Sequence, residues 1–437
     1  MAFRWFERAY RLAPGYPMAA MTYATHLLER GDPAAATIFQ RVADEFDIPE
    51  ARLGLEAAWQ RTGVPLPEPA LVREANQRRA ARNRGASGSV LFVTHADGGG
   101  VERAVNLAIE NAAAQGRVAI VVKPSKDSPG TTEVRFGPAG PERRYRLPTQ
   151  LDKLTADLAA AKPEYAEIHH MLGHPPDVAD LPGRLGIPFD VHIHDYAFAC
   201  PRIAMVDELG RYCGEPDLPG CEACVRARGT LLDETIEVGA LRARSAELFA
   251  RARGIFAPSS DAAKRMRRYF PRTVFQVQAF AATGTDAPAA RPSAKNGVCR
   301  VCVAGSIGQH KGYDVLLACA RDAAANRLPI EYIVAGDTID DEALFETGHV
   351  FVTGTYRPDE GVDLIRRQDA SLGFLPSVWP ETWSFVLSEL WSAGLQVAVF
   401  DIGAPAERVA ATGRGFAMPL GLPPEATNRL FLRLVGL

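Results

Sequence analysis

Short apolar runs alternate with amphipathic stretches from about residue 89 to the end of the chain. The first runs, SVLFVTH at 89–95 and RVAIVVKP at 117–124, have the length and composition of buried strands. A second series begins at Arg300 with RVCVAGS, IEYIVAGD, VFVTGTY, ASLGFLPS, QVAVFDIG and GFAMPLG. Helical patterns such as YDVLLACARDAAAN separate these runs. Strands that alternate with helices predict an α/β fold with parallel, doubly wound sheets.

Shifts in composition predict the domain boundaries. Residues 281–296 are rich in Ala, Pro, Thr and Gly without periodicity, which indicates a linker. Residues 64–87, where three prolines precede a run of arginines, indicate another. We therefore predict two Rossmann-like domains, 88–280 and 297–437, that face a cleft. Ligands of such folds bind beyond the carboxyl ends of the strands.

Residues 1–63 have a helical and repetitive pattern. FERAYRL at 6–12 matches FQRVADE at 39–45, and TYATHLLERG at 22–31 matches GLEAAWQRTG at 54–63. The period resembles that of tetratricopeptide repeats, but only about two units fit where about three are normally needed. We expect these helices to pack on the rest of the chain, to bind a protein partner or a second copy, or to be the remnant of a longer array. A helical cap without a binding role is the alternative.

Charge and hydropathy exclude several classes of protein. The 437 residues include 49 Lys and Arg against 52 Asp and Glu, for a formal net charge of −3. General nucleic-acid binders are strongly basic, so no nucleic-acid partner is predicted. No uninterrupted apolar run reaches the ~18 residues of a membrane span. Charges interrupt the N-terminal segment where a signal peptide would be apolar, so we predict a cytoplasmic protein.

Two glycine-rich loops follow predicted strands, at Gly98–Gly100 and Gly305–Gly312. The first lacks G-x-G-x-x-G spacing, and the next strand ends in Lys123 rather than an acid, which disfavours nicotinamide cofactors. The second has His and Gly beside Lys311 where a Walker A motif needs Gly and Ser or Thr, which excludes a P-loop nucleoside triphosphatase. Lys311 beside a glycine-rich turn is still suited to bind a phosphate. A solvated surface lysine is the alternative.

The segment PSVWPETWSFVLSE at 376–389 is the most informative. Pro380 suits the first turn of a helix, which would place Glu381 at or before the helix start and Glu389 eight residues later. A helix start offers free N–H groups and the positive end of a dipole, here with an acid on each side. A diphosphate fits the helix start, while a sugar and a ribose would each donate hydroxyl groups to one carboxylate. Coincidence on a solvated helix is the alternative.

From about Ser89 onward the chain resembles family 4 glycosyltransferases of the GT-B fold. The resemblance is carried by Gly98–Gly100, Ile168-His169-His170, Lys311-Gly312 and Glu381-x7-Glu389. Closer still, HDYAFACPRIAMVDELGRYCGEPDLPGCEAC with PSVWPETWSFVLSE resembles bacterial members linked to surface polysaccharide assembly. The resemblance implies a retaining transferase that moves a sugar from a UDP- or GDP-sugar to a glycan or a lipid-linked oligosaccharide.

The resemblance also implies roles for individual residues. Glu381 would contact the transferred sugar, Glu389 the ribose hydroxyls and Lys311 the diphosphate. The full set of implied donor-binding residues is Gly99, Gly100, Lys311, Ser384, Phe385 and Glu389. His169 would be the histidine near the reacting centre, with His170 as the next candidate. The acceptor would attack from the front face while the leaving phosphate takes up the proton.

One departure from the family pattern keeps other functions open. The family usually has an Arg shortly before the Lys, and Gly305 to Gly308 contain none. Either His310 or another domain supplies the second cation, or catalysis is weak. The alternatives to a transferase are a non-catalytic scaffold that binds sugar nucleotides and another GT-B enzyme, such as an epimerase or a hydrolase.

Four of the seven cysteines lie in one Gly- and Pro-rich segment, 200–224. Cys200, Cys213, Cys221 and Cys224 have the spacing C-x12-C-x7-C-x2-C, and four thiolates satisfy a tetrahedral structural zinc ion. Free cysteines in a loop are the alternative. By contrast, Cys299 and Cys302 lie in an alternating strand and are expected in the core.

The stretch from Arg242 to Arg272 is basic. Family members bound at the inner face of the membrane use such surfaces to reach lipid-linked acceptors, so a peripheral membrane contact is one expectation. A solvated helix is the other.

Overall fold

The computed structural model describes residues 10–11, 16–46, 49–62, 88–138, 140–207, 210–280, 291–357 and 359–437. The predicted linker 64–87 and residues 281–290 of the second predicted linker lie outside the described residues, as does most of the repeat segment 6–12.

The N-terminal segment consists of packed helices. They are α1 (Pro17–Glu29), α2 (Ala34–Phe46) and α3 (Pro49–Thr62). These helices share a small apolar core of their own. Arg41 pairs with Glu360 of the C-terminal domain, with N and O 3.1 Å apart, and Tyr16 lies against Gly354. The helices therefore pack on the rest of the chain, which is the first of the alternatives given in the sequence analysis. That they are tetratricopeptide units stays a prediction.

The first α/β domain is built on an eight-stranded sheet. Its strands are β1 (Gly88–Val93), β2 (Arg117–Pro124), β3 (Thr131–Phe136), β4 (Glu142–Arg146), β5 (Pro163–Ile168), β6 (Phe189–His192), β7 (Gly254–Ala257) and β8 (Gln276–Val277). The order is β4-β3-β2-β1-β5-β6-β7-β8, parallel except for the antiparallel edge formed by β2, β3 and β4. Its helices are α4 (Gly99–Ala114), α5 (Leu151–Ala160), α6 (Leu181–Leu185), α7 (Leu218–Arg228), α8 (Val238–Arg251) and α9 (Ser260–Tyr269).

The second α/β domain is built on a six-stranded, wholly parallel sheet. Its strands are β9 (Cys299–Ile307), β10 (Ile330–Thr338), β11 (Val350–Val352), β12 (Leu372–Leu375), β13 (Val397–Phe400) and β14 (Gly415–Met418), in the order β11-β10-β9-β12-β13-β14. Its helices are α10 (Tyr313–Asn326), α11 (Asp341–Phe345), α12 (Gly361–Arg367), α13 (Phe385–Ser392), α14 (Gly403–Thr412) and α15 (Pro424–Val435).

Strand burial explains why the apolar runs form these sheets. Every residue of β12 and β13 is buried, because helices cover both faces of a parallel sheet. Cys299 and Cys302 enter different apolar clusters on opposite faces of β9, which confirms their assignment to the core. The predicted α/β fold with two sheets of parallel strands is confirmed.

The strand order places a ligand crevice in each domain. The chain turns back at β1, whose neighbours are β2 and β5, and at β9, whose neighbours are β10 and β12. Ligands of open α/β sheets bind beyond the carboxyl ends of strands at such switch points. The loop Gly98–Gly100 and His169 lie at the first switch point, and Lys311 and the loop with Glu381 lie at the second.

Hydrogen bonds join the two domains directly. The Tyr196 hydroxyl donates to the carbonyl of Pro380 over 2.8 Å. The Glu407 carboxylate accepts the N–H groups of Ser260 and Asp261, at 3.1 and 2.6 Å. A carboxylate from the second domain thus binds the positive N-terminal end of α9 in the first.

The basic stretch uses many of its charges internally. Four arginines pair with carboxylates of the same domain: Arg251 with Asp180, Arg253 with Asp190, Arg265 with Asp261, and Arg268 with Glu215.

Among the described residues, none of the helices combines the length and the apolar composition that a membrane span requires.

Replacement of Gly312 tests the close approach of the two loops of the second domain. Gly312 has φ +89°, and a Cβ there would lie 2.0 Å from the carbonyl oxygen of Pro376. We expect Gly312→Ala to lower the free energy of unfolding by about 3 kcal/mol, from left-handed strain and overpacking together. Gly413, with φ +66° and nothing within 4 Å of its Cβ position, is the matched control. Gly413→Ala should cost about 1 kcal/mol. Equal losses in urea unfolding would contradict the close approach.

Candidate active site between the two domains

The segment before α13 is a loop, so the prediction that a helix begins at Pro380 is wrong. Helix α13 begins at Phe385. The carbonyl of Pro380 accepts the Tyr196 hydroxyl, and the carbonyl of Glu381 accepts the N–H of Ala404 over 2.8 Å. A helix through this segment would need those carbonyls for its own first turn. Tertiary hydrogen bonds therefore outweigh the preference of proline for a helix start.

Ser384 caps α13 from a left-handed backbone. Its φ is +82°, a backbone conformation that residues other than glycine rarely adopt. Its hydroxyl oxygen accepts the N–H of Leu387 at 3.4 Å. Helical N–H groups point toward the N-terminus, so the first turn of α13 directs its donors and its positive dipole end toward the preceding loop. A helix start exists in this segment, but it comes later in the chain than predicted.

Glu381 is a buried carboxylate at this helix start. Its side chain is 3% exposed, and its Oε1 lies 3.0 Å from Lys311 Nζ and 2.6 Å from the Ser377 hydroxyl. Burial by itself would raise the pKa of Glu381, but Lys311 and the hydroxyls of Ser377 and Ser384 outweigh burial and lower it below 4.5. The structure thus brings Lys311, Glu381 and Ser384 together in one charged cluster.

Glu389 is the second buried carboxylate, and it reaches the other domain. It is 4% exposed. Its Oε1 pairs with Arg103 of α4, and its Oε2 accepts the Tyr356 hydroxyl at 2.9 Å. The guanidinium of Arg103 also lies 4.7 Å from the centre of the Phe385 ring. A carboxylate has about four acceptor positions, and the contacts with Arg103 and Tyr356 use one on each oxygen.

Arg103 and Arg408 are functional candidates that the sequence reasoning missed. Arg103 of the first domain pairs with Glu389 of the second, and whether it supplies the second cation of the family pattern stays a prediction. Burial, followed by the charge of Lys311, lowers the pKa of His310 to about 4, so His310 is neutral at neutral pH. Arg408 lies 3.8 Å from the Trp383 ring centre and donates to the carbonyl of Ser384 at 2.6 Å. A single arginine on an amphipathic helix carries no sequence signal that could have identified either residue.

Histidines and a glutamate share one face at the ends of β5 and β6, because alternate residues of a strand point the same way. His169 is 1% exposed. Its Nδ1 lies 2.9 Å from His194 Nε2, and its Nε2 lies 3.1 Å from Glu167 Oε2. The rings of His169 and His192 stack with centres 4.5 Å apart. His169 is therefore enclosed, and it connects Glu167 to His194.

His194 is the histidine of this row that meets the second domain. Its carbonyl accepts the Thr382 hydroxyl. Its ring stacks on Phe280 with centres 6.1 Å apart, and Phe280 in turn contacts the rings of Trp383 and Phe385 at 5.7 and 5.1 Å. His194 thus lies beside the loop that holds Glu381, with His169 behind it.

A second polar cluster lies beside the first glycine loop. His170 Nε2 is 2.9 Å from Asp195 Oδ2, and the ring of His95 meets that of His170 edge-on at 4.7 Å. A Cβ built on Gly99 or Gly100 would meet nothing within 4 Å, so the backbone of this loop borders open space. A ligand could approach these N–H groups closely.

Two groups of side chains have the composition of metal ligands. Glu167, His169 and His192 offer ligand atoms that all lie within 4.8 Å of one another, and among the described residues they form the one such set. Hydrogen bonds within this set, and from His169 to His194, already engage these atoms. The cysteines predicted to bind zinc, Cys200, Cys213, Cys221 and Cys224, converge on one cavity elsewhere in the first domain.

The histidine row predicts a pH dependence of stability. Burial lowers the pKa of His169 to about 3, and burial followed by the charge of His169 lowers that of His192 to about 3. In the unfolded chain both titrate near 6.5. Below pH 6.5 the unfolded state therefore binds more protons than the folded state. As the pH is lowered, the free energy of unfolding should decrease by up to about 1.4 kcal/mol per pH unit for each histidine. Urea unfolding of His169→Gln between pH 7 and 5 should show a shallower fall than the unmodified protein, and parallel curves would contradict this.

The comparisons with known proteins agree with this architecture. Residues 290–435 match the family model "Glycosyl transferases group 1". A search of curated proteins finds no match. Among solved structures, WaaG, a glycosyltransferase involved in lipopolysaccharide biosynthesis, is similar at 14% identity and a TM-score of 0.52, over 80% of this chain and 90% of that one.

Two further solved structures have similar folds. Sucrose-phosphate synthase from Thermosynechococcus elongatus matches at 14% identity and a TM-score of 0.50, over 80% of this chain and 90% of that one. HepE from Anabaena, in complex with UDP-glucose, matches at 12% identity and a TM-score of 0.50, over 79% and 89%. The chain therefore has the GT-B glycosyltransferase fold, and residues 290–435 match a glycosyl transferases group 1 domain.

Proposed function

We propose that the protein transfers a sugar from a nucleotide-diphosphate sugar to an acceptor hydroxyl, with retention of the anomeric configuration. The observation that carries this proposal is the arrangement around the start of α13. Two buried carboxylates, Glu381 and Glu389, lie with Lys311 at the boundary between the domains, within residues that match a glycosyltransferase model.

The donor would bind across the start of α13. Its diphosphate would accept hydrogen bonds from the first N–H groups of the helix and an ion pair from Lys311. Its ribose hydroxyls would donate to the acceptor positions left on Glu389, and hydroxyls of the transferred sugar to Glu381. Both carboxylates are held in place before the donor arrives, which lowers the ordering cost of binding.

The reaction would proceed on one face of the donor sugar. The bond from the anomeric carbon to the diphosphate oxygen breaks, the acceptor hydroxyl oxygen bonds to that carbon from the same side, and its proton passes to the leaving phosphate. Lys311 and the N–H groups of α13 would stabilise the negative charge that develops on the leaving group. The acceptor would approach from the open loop at Gly99 and Gly100.

His194 would stand closest to the reacting atoms. The carbonyl of His194 accepts the hydroxyl of Thr382, which is next to Glu381 in the chain. His169 is enclosed and is hydrogen-bonded to His194. We therefore assign His169 a positioning role. Its bond to Glu167 fixes which ring nitrogen of His169 faces His194, and this in turn orients the His194 ring.

The donor and the acceptor are proposed by class. UDP-glucose is the first donor to test, because the fold of HepE holds it. The acceptor would be a glycan or a lipid-linked oligosaccharide in the assembly of a cell-surface polysaccharide, with the protein acting in the cytoplasm or at the inner face of the membrane.

Glu389→Gln should weaken binding of UDP-glucose about 10- to 100-fold. The physical reason is the loss of charged hydrogen bonds to the ribose, worth about 1.5–3 kcal/mol. Glu407→Gln is the matched control, because Glu407 is also a carboxylate at the domain boundary but binds N–H groups of α9. Isothermal titration calorimetry with UDP- and GDP-sugars measures both. If the two variants weaken binding equally, domain contact rather than ribose binding explains the effect, and the proposed donor site is wrong.

His194→Asn should lower kcat about 10²-fold, because the reacting groups lose a neighbour that orients them, with a small change in the KM for the donor. His169→Asn should lower kcat less and shift the pH profile, and the double variant should resemble His194→Asn because the two residues act as a unit. His349→Asn, at the edge of the second sheet, should leave kcat unchanged.

Nucleotide release and the anomeric configuration of the product measure these effects. Additive losses for the two histidines would contradict the positioning role. If none of the sugar nucleotides supports turnover, the protein is the non-catalytic scaffold and not a transferase.

A further inference from the structure

Four cysteines line one small cavity in the first α/β domain. The cavity measures about 40 Å³ and its lining is almost wholly apolar. Cys200, Cys213, Cys221 and Cys224 all border it. They come from three separate stretches of chain, so tertiary structure rather than adjacency in sequence brings them together.

The secondary structure around the cavity explains this convergence. Cys200 ends the turn that follows β6, and Cys213 follows a bridge between Val206 and Tyr212. Cys221 and Cys224 are three residues apart on α7, and residues at that spacing share a helix face.

Helix α7 has no fully buried residue. Cys221, Cys224 and Val225 of this helix line the cavity. Outside the cavity, its Glu222 carboxylate accepts the N–H of Gly239 at 2.9 Å. Most helical stability in proteins comes from packing of an apolar face. A bond through the two thiols would therefore add to the contacts that hold the helix.

Two guanidinium groups provide matching charge. Arg242 Nη2 donates to the sulfur of Cys221 at 3.4 Å, and its Nε donates to the carbonyl of Ala199 at 3.0 Å. Arg202 also lines the cavity, and its buried Nε has no hydrogen-bond partner. Four thiolates around one divalent ion carry a net charge of −2, which two arginines balance. N–H donors to ligating sulfur are a usual part of such sites.

We propose that Cys200, Cys213, Cys221 and Cys224 bind one Zn²⁺ ion as four thiolates. No three of these sulfurs, all in the described part of the chain, lie within 4.8 Å of one another. Zinc with bonds of about 2.3 Å therefore draws α7 and the Cys213 loop together.

The zinc loop would brace the boundary between the domains. The Tyr212 side chain packs against the apolar clusters of both domains. A Cβ on Gly210 would lie 3.5 Å from the Cβ of Gln309, in the turn that carries Lys311. The ion thus fixes a loop that lies against the Lys311 turn, although the zinc assignment itself does not depend on the proposed activity.

Elemental analysis of the full chain, purified under reducing conditions without chelator, tests the proposal. We expect about one zinc ion per chain and X-ray absorption from about four sulfur neighbours at about 2.3 Å. Cys224→Ser should lose most of the zinc, whereas Cys319→Ser, at a buried cysteine of α10, should retain it.

A second measurement does not depend on a variant that folds. Modification of the thiols of the unmodified protein should release the zinc, detected with a metal-binding dye. Metal-free protein with four reactive thiols, disulfides among these cysteines, or iron with acid-labile sulfide would each overturn the proposal.

Discussion

The structure depends on the pairing of two carboxylates that are buried where the domains meet. Glu381 is paired with Lys311 of its own domain, and Glu389 with Arg103 of the other. An unpaired buried charge costs several kcal/mol, so each acid requires its cation to stay within contact. This requirement sets the position of the Lys311 turn beside α13, and it holds α4 of the first domain against the second.

The pairing of Glu389 with Arg103 also joins the two domains. Arg103 lies near the start of α4, directly after the glycine loop at the first switch point. Movement of the first domain away from α13 would therefore leave Glu389 without its cation.

The histidines show how burial changes the chemistry of residues that look equivalent in sequence. His169 and His194 both follow a strand, yet the first is enclosed and the second meets the other domain. Desolvation holds the pKa of each histidine well below 6.5. Both are therefore neutral hydrogen-bonding groups at physiological pH.

The sequence by itself determined the elements and the chemistry that they carry. Alternating apolar runs predicted both parallel sheets, and the glycine turn with Lys311 and the paired acids predicted an anion site, because strand periodicity and charge are local properties. Tertiary structure alone decided that α13 begins at Phe385, since the Tyr196 hydroxyl takes the carbonyl that an earlier start would need. It also decided that Arg103 pairs with Glu389. These contacts join residues far apart in the chain, and no local pattern records which side chain will arrive to satisfy a buried group.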